Sequence, residues 1–301
     1  MMTLPSQVHM ALDRLEAAGW EAFVVGGAVR DALRGCAAGD WDITTNAEPE
    51  QIECVFSGER LIETGLRHGT VTVLLDGLPL EITTYRVDGG YSDHRRPDSV
   101  TFTRSLRDDL LRRDFTMNAL AYNPQTGLVD ICGGAEDLAR GVVRCVGEPE
   151  RRFREDGLRI LRALRFASVL GFTIEPETAA AIHRCAELLR YLAAERVLSE
   201  LTKLLCGQNA GAVLREFSDV LAVPIPGCGR CSASRSTTRT MTGTSGSTRS
   251  RSWSTSRPSR CCAGQRCCTT SESRRAFRLP MTASDTFTVT PPRARSLRMR
   301  S

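Results

Sequence analysis

Apolar positions set the first divisions of this chain. Val8, Leu12 and Leu15 recur at helical spacing between Ser6, a candidate N-terminal cap, and Gly19, a stop, which predicts a helix over 6–18. Phe23, Val24 and Val25 form the short apolar run expected of a buried strand. Good helix formers fill 28–34 and Gly35 closes them, so a second helix is expected directly after Gly26 and Gly27. Asp40 and Asp42 alternate with Trp41 and Ile43, a strand pattern that would aim both acids from one face. A helix over Pro49 to Phe56 comes next. Thr70 to Leu75, the pair Asp76-Gly77 and Leu78 to Tyr85 then read as a hairpin with a preferred two-residue turn. The stretch from Asp88 to Pro97 is polar and glycine-bearing, a loop of the sort that moves over a site. From Glu148 onward the period becomes helical. The expected architecture is an α/β (α+β) head with a mixed sheet over 1–146, then an all-helical neck over 147–226.

The pattern stops after Pro226, and composition changes with it. Residues 1–226 hold 25 Lys+Arg against 33 Asp+Glu, whereas 227–301 hold 15 Arg against only Glu272 and Asp285, so the net charge of +5 joins two opposite parts. The last 75 residues carry 15 Ser, 13 Thr and six of the twelve Cys, with neither helical nor alternating apolar period. Such a segment cannot bury enough surface to offset ordering entropy, and it is expected to be disordered. Three readings of it stand side by side. It could be a basic RNA-binding arm, or a zinc site at Cys228, Cys231, Cys261, Cys262, Cys267 and Cys268, although that spacing fits no standard knuckle. It could also be translation of a shifted reading frame. One Lys, Lys203, against 39 Arg suggests a GC-rich gene, and GC-rich codons read out of frame yield Arg, Ser, Cys, Pro and Gly. The body's six cysteines show no paired pattern and are expected as free thiols. No apolar run is long enough for a membrane span, and Met1 to Gln7 lacks a charged region followed by an apolar block, so the expected setting is the cytoplasm with no membrane partner.

Chemistry concentrates where the glycines and the acids fall close together. Gly26 and Gly27 let backbone approach a ligand, and helical N–H groups beyond them, with Arg30 nearby as a fork-shaped donor, favour a phosphate. Asp40 and Asp42 are hard oxygen ligands of the kind that hold magnesium, an ion that usually completes its shell with water and substrate phosphates. Taken singly, the glycines could be a tight turn and the acids a solvated cap. In this order, with Asp40 thirteen positions after Gly27, they point to phosphoryl or nucleotidyl transfer. Glu81, on the second hairpin strand, is a possible third acid or an exposed strand residue.

A second constellation lies in the neck. Across Glu155 to Phe166, Ile160, Leu161 and Leu164 take one side, while Asp156, Arg159, Arg162 and Arg165 follow a three-residue step and are expected as one continuous polar ridge. The ridge could be a solvated face with an internal salt bridge. It could also read a base. Cytosine and adenine share an amino donor beside an unprotonated ring nitrogen, which an Asp acceptor and an Arg donor complement. Uracil and guanine present the opposite pattern. Arginines left over would hold phosphates without risk of deprotonation.

These segments carry a resemblance over about 1–226. The chain resembles the class II tRNA nucleotidyltransferases, the CCA-adding enzymes, within the superfamily that also holds bacterial poly(A) polymerase. The matching segments are Gly26 to Asp31, Asp40 to Ala47, Arg112 to Ala119, Asp130 to Leu138, Glu155 to Phe166 and Glu195 to Leu201. The resemblance implies a nucleotidyltransferase head in which Asp40 and Asp42 bind Mg2+ and Gly26, Gly27 and Arg30 hold the triphosphate. Arg113 and Asp114 would approach the ribose, Asp156 and Arg159 read the base, and Arg162 and Arg165 complete the nucleotide contacts. It implies CTP and ATP as substrates, the tRNA 3′ end as partner, pyrophosphate release and no role for DNA. Poly(A) synthesis would use the same machinery, but Gly65 to Val71 resembles the CCA-adding branch more closely. Family members continue into helical body and tail regions that grip tRNA, and nothing after Pro226 matches these. Two further expectations follow: a chain that binds nucleotide without efficient extension, or a noncatalytic RNA-binding protein using its Arg-rich tail.

Overall fold

The computed structural model describes residues 2–65, 69–89 and 99–225. Most of the expected polar loop, Leu66 to His68, and the whole segment from 226, with its cysteines, lie outside these residues. Helix α1 (Ser6–Ala17) buries Val8, Ala11, Leu12 and Leu15 as one stripe, and Gly19, at φ 88°, ends it. Ser6 is not a cap: Pro5 precedes the first turn and no side chain closes it. Next come β1 (Ala22–Val25), α2 (Gly27–Leu33), β2 (Asp42–Thr45) and α3 (Pro49–Val55). Strand β3 (Arg60–Gly65) precedes the hairpin of β4 (Thr70–Leu75) and β5 (Leu78–Thr84), whose turn residues Asp76 and Gly77 both have positive φ, 46° and 82°. A short pair, β6 (Arg86–Asp88) and β7 (Val100–Phe102), flanks the undescribed loop. Helix α4 (Leu106–Leu111), β8 (Leu120–Asn123), β9 (Gly127–Asp130), α5 (Gly134–Arg140) and β10 (Val142–Val143) complete the head.

Seven strands form one sheet in the order β3-β4-β5-β2-β1-β8-β9. It is mixed, because β2 runs parallel to β5 while every other neighbouring pair is antiparallel. The buried positions of β4 alternate along the strand, and Val71, Val73 and Leu75 meet the α1 stripe, Ile52 and Phe56 in one core. Phe23 and Val25 of β1 join Tyr85, Leu110 and Ala121 in a smaller cluster.

The helical region comprises α6 (Pro149–Glu155), α7 (Leu158–Leu170), α8 (Pro176–Arg184), α9 (Ala194–Leu205), α10 (Ala210–Glu216) and α11 (Ser218–Ala222), with a two-residue strand, β11 (Thr173–Ile174), parallel to β10. Its core is continuous with the head, since Phe115, Met117, Leu138 and Val143 pack with Ile160, Leu161 and Leu164 of α7. One glycine shapes the head's side of that core. A Cβ on Gly134 would lie 2.1 Å from the carbonyl oxygen of Thr116, so only glycine lets α5 press against the turn at Thr116–Asn118. Cys36, Cys54, Cys132, Cys145, Cys185 and Cys206 are free. Among the described residues no helix is long and apolar enough to cross a membrane.

Candidate active site

Gly26 leaves β1 at φ 70°, and its N–H donates to the Leu120 carbonyl at 3.3 Å, tying the turn to β8. A side chain here would be strained by φ, and its Cβ would sit 3.3 Å from Nη1 of Arg113. The backbone is therefore bare where an arginine crosses it. Arg30, one turn into α2, is held by Asp31 through Nε at 2.9 Å and Nη2 at 2.8 Å, and its Nη1 donates to Oδ1 of Asn118 at 2.8 Å.

Asp42 opens β2 opposite Val25 of β1 on one side and Glu81 of β5 on the other. The register thus brings Glu81, the possible third acid, beside Asp42, and Glu81 is exposed on its strand. Asp40 does not behave as expected. It precedes the strand in irregular backbone and is exposed, so the alternating face of the sequence pattern begins two residues too early. Gly39, just upstream, lies in a bend, and strand pairing starts at Asp42. Burial raises the Asp42 pKa to about 6, helped by Glu81 and Asp40 and opposed by Arg113. That uncompensated negative charge, on hard oxygen donors, fits a divalent cation. Among the described residues no group of three or more His, Cys, Asp or Glu side chains is placed to hold a metal, so a bound ion would draw the rest of its shell from water and substrate oxygens.

The opposite wall is built from paired charges. Asp109, fully buried on α4, accepts from Nη2 of Arg112 at 2.7 Å and Nη2 of Arg113 at 3.1 Å. Burial alone would raise its pKa, but Arg113 and Arg112 hold it below the usual carboxylate range. Nε of Arg113 is buried with no hydrogen-bond acceptor among the described residues. Asp114 is buried too: Oδ1 accepts from the Phe115 N–H at 2.8 Å and Nδ2 of Asn118 at 3.1 Å, while Oδ2 takes Nε of Arg162 at 2.7 Å. Its pKa is likewise lowered, against burial, by Arg162 first.

The expected ridge is broken. Asp156 sits between α6 and α7 with φ −141° and ψ 108°, because its Oδ1 accepts the Leu158 N–H at 2.9 Å and so competes with helical pairing. Its Oδ2 takes Nη2 of Arg196 on α9 at 3.0 Å. Arg159, Arg162 and Arg165 keep their three-residue step on α7. Arg159 donates to Glu155 at 2.6 Å, and Arg165 pairs with buried Glu200 at 3.2 Å. Despite the break, one cavity of about 480 Å³ gathers Gly26, Gly27, Arg30, Asp42, Arg113, Asp114, Asp156, Arg159, Arg162 and Arg165. Of the residues expected at the site, Asp40 and Glu81 do not line it.

Sequence reasoning gave no part to Arg112, Asn118, Phe166 and Arg196, which also line the cavity, or to Asp109, Glu155 and Glu200, which hold its arginines. All but Asp109 fall inside segments quoted for the resemblance. Asp109, one of two adjacent acids at a helix start, carries no pattern that separates it from Asp108.

Comparison with known proteins bears on this geometry. Residues 22–144 match the family described as "Poly A polymerase head domain", and residues 171–220 match "Probable RNA and SrmB- binding site of polymerase A". A CCA-adding enzyme of Levilactobacillus brevis is 50% identical over 208 residues, 68% of this chain and 52% of that protein. The crystal structure of the Bacillus stearothermophilus CCA-adding enzyme in complex with CTP superposes with a TM-score of 0.69 at 42% identity, covering 75% of this chain and 55% of the other. A tRNA nucleotidyltransferase complexed with a primer tRNA and an incoming ATP analog superposes with a TM-score of 0.60 at 30% identity, covering 72% and 63%. The chain spans about half the length of the curated relatives it matches.

Proposed function

This chain belongs to the tRNA nucleotidyltransferase and poly(A) polymerase family, and from that premise we propose that it adds CMP and AMP from CTP and ATP to the 3′ end of tRNA. The observation that carries the proposal is the single cavity lined by a bare glycine turn, a half-buried acid of raised pKa and the residues Asp156 and Arg159. In this reading the oxygen of the tRNA 3′-hydroxyl bonds to the α-phosphorus. The bond from that phosphorus to the bridging oxygen breaks, pyrophosphate leaves, and the hydroxyl gives up its proton. Mg2+ held by Asp42 with Asp40, and Glu81 nearby, would supply charge neutralisation and a more acidic hydroxyl.

The chain's own residues do the rest. The backbone at Gly26 and Gly27 and the side chain of Arg30 take the triphosphate, and Arg162 and Arg165 extend that cationic surface. Arg113 and Asp114, beside the glycine turn, face the ribose. Asp156 accepts from the exocyclic amine shared by cytosine and adenine while Arg159 donates to the adjacent ring nitrogen. A good two-point contact of this kind discriminates by about 1–3 kcal/mol. Arg196 holds Asp156 in place for that task.

A second reading has its own support, the share of the relatives' length that the chain spans: nucleotide binding without efficient tRNA extension. Incubating purified chain with tRNA lacking its terminal CCA and with labelled CTP or ATP decides between them. Ordered addition of C, C and A is the expected result. Nucleotide binding without extension would favour the second reading, and extension by A alone would assign the chain to the poly(A) branch.

A further inference from the structure

Phe166, on α7, is surrounded by guanidinium groups. Arg165 lies 4.2 Å from the ring centroid, Arg30 at 5.2 Å and Arg162 at 5.6 Å. Arg30 comes from α2 of the head, and the other two from the neck. Three like charges around one ring repel. Burial first, and then Arg162 and Arg30, lower the Arg165 pKa, with Glu200 opposing them. Each cation is tethered by a carboxylate, Asp31 for Arg30, Asp114 for Arg162 and Glu200 for Arg165, and Arg30 donates to Asn118 as well. What they share is the ring. Its plane is fixed by Phe115, which meets it edge-on at 5.7 Å and 82°. Phe115 directly follows Asp114, and its N–H donates to that carboxylate, so one turn sets both the ring and the anchor of Arg162.

We propose that Phe166 is a positioning residue for polyphosphate: its ring gathers Arg30, Arg162 and Arg165 into one cationic cluster, so that polyphosphate binding depends on an aromatic face and not merely on side-chain volume. A ring quadrupole attracts each cation without adding negative charge to that of Asp31, Asp114 and Glu200, which already pair with the three arginines. A further carboxylate in the ring's place would lower the net positive charge offered to a ligand. The effect is blind to the base, since the cluster meets phosphate oxygens. The inference rests on the reading that the cavity takes a nucleoside triphosphate.

Inorganic tripolyphosphate, which carries no base and needs no tRNA, is the probe. Calorimetric titration of the full chain is compared for wild type, Phe166→Leu and Phe166→Tyr, with a thermal melt of each. The expected result is a weakening of about tenfold in Phe166→Leu, equivalent to about 1.4 kcal/mol, with wild-type affinity kept in Phe166→Tyr. In the addition assay KM should rise by the same factor for CTP and ATP while kcat changes little. Equal binding by wild type and Phe166→Leu would overturn the proposal and leave the nucleotide reading standing. Equal weakening in Phe166→Tyr and Phe166→Leu would overturn it as well. Absence of binding by wild type would overturn the nucleotide reading itself, and the proposal with it. If Phe166→Leu loses its cooperative melt, Phe166→Met, which fills a similar space with a flexible chain, carries the same comparison.

Discussion

Asp42 and Asp114 reach the same cavity from opposite sides, and their surroundings push their acidities in opposite directions. Asp42 opens the central strand of the sheet beside Glu81 and near Asp40, and Arg113 pulls its pKa down against burial and these two acids. Asp114 accepts from three donors: the Phe115 backbone N–H, the Asn118 amide and the Arg162 fork. Burial acts on both. What differs is how much countercharge the fold supplies, and this separates a carboxylate kept for an external cation from one that the fold itself holds ionised. The largest expected effect tests that difference at Asp42. Asp42→Asn should cut nucleotide incorporation by about a thousandfold, about 4 kcal/mol. Its melting temperature should stay level or rise, since a neutral amide avoids the cost of a buried charge. Rate assays beside thermal melts check both halves, and a folded variant of wild-type activity would remove Asp42 from the chemistry.

At Asp114 the order reverses, and stability carries the effect. Asp114→Asn leaves Arg162 without its carboxylate and should cost about 3 kcal/mol of unfolding free energy. The pH dependence has a definite sign. Because the folded pKa of Asp114 is depressed, the stability it adds is present above the unfolded carboxylate value of about 3.9 and is lost as pH falls through the folded value. Denaturant titrations from pH 6 downward should therefore show wild type losing more stability than Asp114→Asn below about pH 4. An unchanged acid limb would mean that Asp114 is not held in its ionised form by the fold.

The two walls also differ in how far the sequence exposes them. The sheet side was largely legible, because strand alternation, the Asp76-Gly77 turn and the two glycines are local signals, and the hairpin of β4 and β5 appears where they place it. Even there the pattern overran at Asp40, since alternation marks a strand's face and not its first residue. The neck side was legible as a list of arginines but not as an arrangement. The three-residue step survives from Arg159 to Arg165, yet Asp156 left the helix when its side chain capped Leu158. Glu200 meets Arg165 across 35 positions and Asn118 meets Arg30 across 88, distances at which no period operates. Asp109 is hidden for the same reason: its importance lies in being buried, which two adjacent aspartates in a helix start do not reveal.

The base-reading pair gives a smaller expected effect. Arg159→Met should reduce the preference for CTP and ATP over UTP and GTP by about 1.5 kcal/mol, roughly tenfold, with total incorporation falling less than in Asp42→Asn. Competition among the four nucleotides measures it. Retained preference would move base selection away from Arg159 and leave the residue as a partner of Glu155.

The smallest effect belongs outside the cavity, where the same chemistry occurs without burial. Arg140 and Glu136 on α5 form an ion pair of 2.7 Å at i,i+4 spacing, shorter than the 3.1 Å contact of Arg113 with Asp109, yet two-thirds of each side chain is exposed. Distance alone would rank it as the stronger contact. In water the attraction is screened and both side chains give up rotamer freedom to make it, so Glu136→Gln should change unfolding free energy by less than about 0.5 kcal/mol. Asp109→Asn should cost several times more, because two arginines then lose a buried counterion. Parallel denaturant titrations of these two variants at low and high salt test this ordering. If Glu136→Gln proved the more damaging, or if the loss in Asp109→Asn vanished in salt, burial would not be what distinguishes the cavity's carboxylates from those on the surface.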